Sequence, residues 1–120
     1  MRLILEDNSI NLLCSPEDVA RFQEDSEVEQ SVVFGDSFGD KFIFSLRNSH
    51  SYEELNVTLI ANELKVFVPK PLAHEWCHTD RLGFGETIYI GEGRKLDLWV
   101  EKYFPTEPGE VEPEEIPTKS

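Results

Sequence analysis

Residues 74 to 78 read His-Glu-Trp-Cys-His, a match to the His-Glu-x-x-His pattern. Residues four apart share one face of a helix. His74 and His78 would therefore offer two imidazoles to a single zinc ion, with Glu75 placed as general base toward a metal-bound water. That is the chemistry of a zinc-dependent hydrolase, and it makes His74 and His78 the candidate metal ligands. The surrounding sequence argues against catalysis. Pro71 stands at the start of the helix and "TDRLGFG" ends it within a few turns. The third histidine of the chain, His50, lies in a polar stretch far from the motif, so no third ligand is evident. Patterns of three fixed residues also arise by chance. No catalytic residue is assigned.

The elements that must position this motif are mostly strands. Residues 2–5 and 9–14 are apolar and flank Asp7-Asn8, a pair that tolerates the positive φ of a tight turn, so they read as a hairpin. A helix is expected over 15–25. Ser15 is a good N-cap, Pro16 suits the first helical position, and Glu17 and Asp18 favour the positive end of the helix dipole. Val19 and Phe22 would face inward. Residues 29–35 and 41–47 pair around "DSFGD", and residues 56–61 and 63–69 pair around Asn62. The helix of the histidine pair spans 71–80, and residues 85–91 and 95–104 pair around "GEGR".

This order is strand–strand–helix–strand–strand, twice. At an offset of 54, Leu3 and Leu5 land on Val57 and Leu59, Asn8 on Asn62, Ile10 and Leu12 on Leu64 and Val66, and Phe22 on Trp76. Lys41, Phe42, Phe44 and Leu46 land on Lys95, Leu96, Leu98 and Val100. The expected fold is α+β: two ββαββ repeats, about residues 1–47 and 55–104, related by a pseudo-twofold axis. Their antiparallel sheets would pack as a sandwich or a small barrel, with two short helices covering open ends. The repeat also assigns faces. Trp76 takes the place of Phe22, whereas His74 and His78 take those of Ala20 and Glu24 on the solvent side.

Composition narrows the function classes. The chain has 24 acidic and 11 basic residues, a net charge of −13. It lacks the cationic footprint that nucleic acid binding requires, and an anionic membrane surface would repel it. No stretch approaches the roughly 20 apolar residues of a membrane span, and the opening apolar run is too short for a signal peptide. A cytoplasmic protein is expected. Cys14 and Cys77 fit no disulfide framework and read as buried free thiols. The glycine-rich stretches "FGDSFGD" and "GFGETIYIGEGR" lack the features of a phosphate loop, and Asp36 with Asp40 is too small a set for calcium. No cofactor is implied. The aromatics, Phe34 and Trp99 among them, read as core. From Pro105 to Ser120 the chain holds four prolines, five glutamates and only two large aliphatics, Val111 and Ile116. That segment reads as a disordered acidic tail whose aliphatics could anchor a linear motif on a partner, which leaves residues 1–104 as the single folded domain.

Three stretches, "MRLILEDNSINLLCSPEDV", "HEWCHTDRLGF" and "LDLWVEKYF", resemble a family of small bacterial proteins, a domain of unknown function seen mainly in Bacteroidetes and related groups. The resemblance rests on the opening hairpin and helix, on Trp76, Asp80, Arg81, Leu82, Gly83 and Phe84, and on the closing Val100 to Phe104. It covers the domain and not the tail. It implies a bacterial cytoplasmic origin and supplies no catalytic residue and no zinc signature.

The reading is a small acidic protein that binds rather than catalyses, with a protein partner or a second copy of itself docking at an edge strand. Trp76, Arg81, Val111 and Ile116 are the candidate binding residues. The alternatives are a zinc-dependent hydrolase using His74, Glu75 and His78, and a small-ligand binder with a pocket between the repeats. Arg81 would otherwise be a helix-end cation beside Asp80 or the last helical carbonyls.

Overall fold

Ten elements follow in the order β1 (Arg2–Glu6), β2 (Ser9–Cys14), α1 (Pro16–Asp25), β3 (Glu27–Val33), β4 (Lys41–Ser49), β5 (Asn56–Ile60), β6 (Glu63–Pro69), α2 (Lys70–His78), β7 (Gly83–Gly91) and β8 (Arg94–Lys102). They belong to a computed structural model that describes residues 1–37, 39–51 and 53–104. The tail residues Val111 and Ile116 lie outside the described residues. The order is ββαββ twice, as the offset of 54 predicts.

Local chemistry sets the ends of the elements. Ser15 caps α1 in a reciprocal box: its Oγ accepts from Asp18 N at 3.2 Å, and Asp18 Oδ2 accepts from Ser15 N at 2.9 Å. Ser26 closes α1 in the left-handed conformation, its N–H donating to Phe22 O at 2.8 Å. α2 has no side-chain cap at its start, where Pro69 and Pro71 stand. Its end is held by Thr79 Oγ1, which donates to Glu75 O at 2.7 Å.

The eight strands form two sheets, in the orders β1-β2-β8-β7 and β3-β4-β6-β5. Each sheet takes one hairpin from each repeat, so the repeats interlock instead of forming a sheet apiece. Ser9 pairs with Asp97 and Glu63 pairs with Ile43, the same register under the offset of 54. This equivalence is the pseudo-twofold relation. One expectation changes here, and one pair of alternatives is decided. The sheets are mixed, because β2 runs parallel to β8 and β4 parallel to β6. The hairpins are antiparallel within themselves, and the parallel pairs are the ones that join one repeat to the other. The two sheets also stay separate, so the fold is not a closed barrel.

One core joins both sheets and both helices. Leu12 and Val66, Leu46 and Val100, and Cys14 and Val68 are equivalent pairs, and all six are fully buried. Full burial of each large aliphatic among them stabilises by about 1.5–3 kcal/mol. The helices lie side by side and meet through Phe22 and Trp76, ring centroids 6.1 Å apart and edge to face. Trp76 also packs on Phe84 at 5.3 Å, and its Nε1 donates to Leu82 O at 3.0 Å.

Candidate functional site

The histidine pair lies where the repeat places it, on the exposed face of α2. The rings stack at 4.1 Å between centroids, with 27° between their planes. His78 Nδ1 is 2.8 Å from His74 O, so it carries the proton and donates. His78 Nε2 lies 3.0 Å from Gln23 Nε2 and accepts from that amide. Both nitrogens of His78 are thus engaged within the protein. Glu75 Oε1 pairs with Arg81 Nη1 at 3.1 Å. Among the described residues, no group of three or more His, Cys, Asp or Glu is arranged to hold a metal ion. Cys77 is half-buried: with Gln23, Asn48, Lys70, His74 and His78 it lines a recess of about 100 Å³ between the helices and β4. In the other repeat Lys102 replaces Asn48. Its Nζ donates to Thr79 O at 2.9 Å and sits 5.9 Å from the centre of the Trp76 ring.

The remaining candidates separate. Trp76 is fully buried and forms part of the core. Arg81 is exposed and holds the turn after α2: Nε donates to Gly83 O at 3.0 Å while Nη1 pairs with Glu75, not with Asp80. A cleft of about 490 Å³ opens where β7 faces the segment before β5, lined by His50, Glu53, Glu54, Leu55, Leu72 and Glu86 among others. Partial burial pushes the Glu86 carboxyl up from its ordinary value, helped by the charge of Glu54 and a hydrogen bond to it, against a backbone hydrogen bond from Leu55.

A further surface is the outer face of the sheet β1-β2-β8-β7. The core-facing row across this sheet is Leu3, Leu12, Val100, Phe84, with Leu3 only partly buried; one residue along, on the opposite face, stand Ile4, Asn11, Trp99 and Gly85. Trp99 is 43% exposed. Its six-membered ring lies on β7: a Cβ on Gly85 would collide with Trp99 Cε3 and come within 2.6 Å of Leu98 O, and one on Gly83 would meet Trp99 Cζ2 at 2.9 Å. Only glycine permits this approach. Ser9, Asn11, Thr87, Asp97 and Trp99 line a recess of about 460 Å³. Thr87 Oγ1 donates to Asp97 Oδ1 at 2.8 Å. Asn11 Oδ1 is buried and has no hydrogen-bond partner among the described residues.

The equivalent face of the other sheet is built differently. Ser45 stands in the place of Trp99, and Glu27 and Glu29 in those of Gly83 and Gly85. Arg47 closes this face: its Nε donates to Ser45 Oγ at 3.0 Å, and its Nη atoms pair with Glu27 and Glu29 at 3.0 and 3.4 Å.

Treating the aromatics as core therefore fails at Phe34, which is 74% exposed, and at Trp99. The signal for Trp99 was present. Leu96, Leu98 and Val100 alternate inward, so Trp99 shares its parity with Asp97 and Glu101. The paired glycines that make room for the ring are on another strand, and no local pattern links them to it.

A family model described as a family of unknown function (DUF7009) matches residues 1–112. The comparison with curated proteins and that with solved structures found no match.

Proposed function

The chain belongs to DUF7009, a family of unknown function, and we propose that it is a small accessory protein that binds through the outer face of the sheet β1-β2-β8-β7 and catalyses no reaction. One observation carries this reading. Two faces that the pseudo-twofold axis makes equivalent differ in chemistry: one is closed by the ion pairs of Arg47, and the other leaves Trp99 on paired glycines beside the Asn11 amide, whose oxygen has no hydrogen-bond partner among the described residues. An exposed tryptophan ringed by polar groups has the composition of an interface centre. Among the described residues, no helix is long and apolar enough to cross a membrane.

The test uses Trp99 as its own reporter. Ligands and protein fragments are screened by tryptophan emission, with Trp99→Phe as the blank and Arg47→Ala as the control for the opposite face. Hits that vanish in Trp99→Phe and persist in Arg47→Ala support the reading. Elemental analysis of protein purified without metal resin tests the rival. Near-stoichiometric zinc, lost in His74→Ala and His78→Ala, would overturn this reading in favour of the hydrolase.

Strand addition is a second mode of binding. Leu59 and Ile60 on the edge strand β5 are 64% and 69% exposed, and β5 carries no charge to discourage pairing with a second copy. Sedimentation of the wild type and Ile60→Lys decides it: a dimer that the lysine dissolves supports the edge, and a monomer at all concentrations removes it.

A further inference from the structure

We infer that the Trp99 face takes an arginine side chain presented by a basic segment of a partner protein, the guanidinium stacked on the indole between Asp97 and Glu101. This rests on the binding reading above and names the chemistry of the partner.

The opposite sheet shows what closes the equivalent face. On the opposite sheet Arg47 lies over Ser45 and pairs with Glu27 and Glu29. At the equivalent positions here Arg47 becomes Glu101, Ser45 becomes Trp99, and the two glutamates become Gly83 and Gly85. The guanidinium and all three of its acceptors are missing here, so this face is open, and its carboxylates are a different pair: Asp97 stands in the place of Ile43 and Glu101 in that of Arg47. Asp97 and Glu101 stand two residues either side of Trp99 on the same strand, so their carboxylates flank the ring on one face. With a net charge of −13, the protein favours a cation there. The face's own cations stand at its ends: Arg2 is occupied over the Tyr103 ring at 5.2 Å, and Lys95 lies next to the β7–β8 turn.

Arginine fits better than lysine. Its planar group stacks on an indole and presents several N–H donors at its edge, whereas an ammonium is a compact, strongly hydrated charge. The acceptors that flank the ring are the carboxylates of Asp97 and Glu101. An anionic ligand would meet two carboxylates, and a purely apolar one would strip them of water without replacing it.

The test titrates the full chain with a short glycine–serine peptide carrying two arginines, and with its lysine and citrulline counterparts. Amide chemical shifts locate each peptide on the wild-type protein, so no variant is needed to find the site. The expected result is shifts at Asn11, Gly85, Thr87, Asp97 and Trp99 and none around Ser45. Affinity should fall at least tenfold with citrulline, at least tenfold in Trp99→Ala and several-fold in Asp97→Asn, and should weaken with salt. Circular dichroism checks that each variant is folded. Equal binding of the citrulline peptide, or shifts elsewhere, overturns the inference. A neutral oligosaccharide or an apolar probe that shifts these amides when the arginine peptide does not overturns arginine but leaves the binding face standing. If no probe in the panel or the wider screen perturbs the face, both readings fall.

Discussion

Asn8 and Asn62 make the same hydrogen bond in opposite directions across the pseudo-twofold axis. Asn8 Nδ2 donates to Lys95 O at 2.6 Å, and Asn62 Nδ2 donates to Lys41 O at 2.7 Å. Their backbone carbonyls follow the same rule, accepting from Asp97 N at 3.1 Å and Ile43 N at 2.9 Å. Each hairpin tip in one repeat is thereby tied to the strand of the other, at the point where the parallel pairs begin.

Replacing either asparagine by alanine removes the side-chain part of the tie and leaves a carbonyl short of its donor. Asn8→Ala and Asn62→Ala should each cost about 1 kcal/mol in urea denaturation. The loss should be larger for Asn62, which also donates to Gly39 O at 3.0 Å. The two sites belong to different sheets and share no hydrogen-bond partner, so the double variant should lose close to the sum. No loss in either would show that the backbone pairing alone sets the register.

The positive φ of the two turns falls on the preceding residue, 54° at Asp7 and 56° at Ala61. Aspartate tolerates that conformation, while alanine pays a steric penalty between its Cβ and the following carbonyl. Ala61→Gly should therefore be neutral or stabilising, by up to about 1 kcal/mol, despite the freedom it adds to the unfolded chain. Ala61→Asn should stabilise by a similar amount. Thermal melts of both variants test this, and a fall in midpoint for both would show that Ala61 is unstrained.

Glu86 gives the fold a pH dependence. Its folded-state pKa is raised, first by burial and then by Glu54. Between its ordinary value of 4.5 and the raised value, the folded state binds more proton than the unfolded state, so this group's contribution falls as pH rises through that window. Gln30 holds the equivalent position in the first repeat, opposite Phe44 as Glu86 is opposite Leu98. Glu86→Gln should stabilise at pH 7 by about 0.5 kcal/mol, the scale of a screened charge pair, and should have no effect below pH 4. A variant less stable at pH 7 would mean that Glu86 is held by an attraction.

Cys14 should be inert in the folded protein. Burial, with a smaller contribution from the charge of Asp18, pushes its thiol up to about 12, so the nucleophilic thiolate is nearly absent at neutral pH. Cys77 is also raised by burial, but it is less enclosed and lies near Lys102. Iodoacetamide at pH 7.5 should label Cys77 slowly and Cys14 only on unfolding. Mass mapping of the labelled peptides reads the order, and early labelling of Cys14 would reveal local opening of the β2 end.

The sequence by itself determined the ten elements, their order and the duplication. Ser15 with Pro16, the Asp7-Asn8 and Asn62 turns and the alternation of Leu96, Leu98 and Val100 act over a few residues, and such signals survive in one dimension. It also placed His74 and His78 on the solvent side, because Trp76 inherits the inward position of Phe22. Tertiary structure decided which hairpins share a sheet and in which direction. The pairing of Ser9 with Asp97 joins residues from opposite ends of the domain, and strand alternation is the same for parallel and antiparallel neighbours. It also decided that Trp99 faces outward on a floor of Gly83 and Gly85 while Arg47 closes the opposite sheet. A side chain's exposure depends on what the neighbouring strand places beneath it, and that neighbour is chosen by the packing of the whole core.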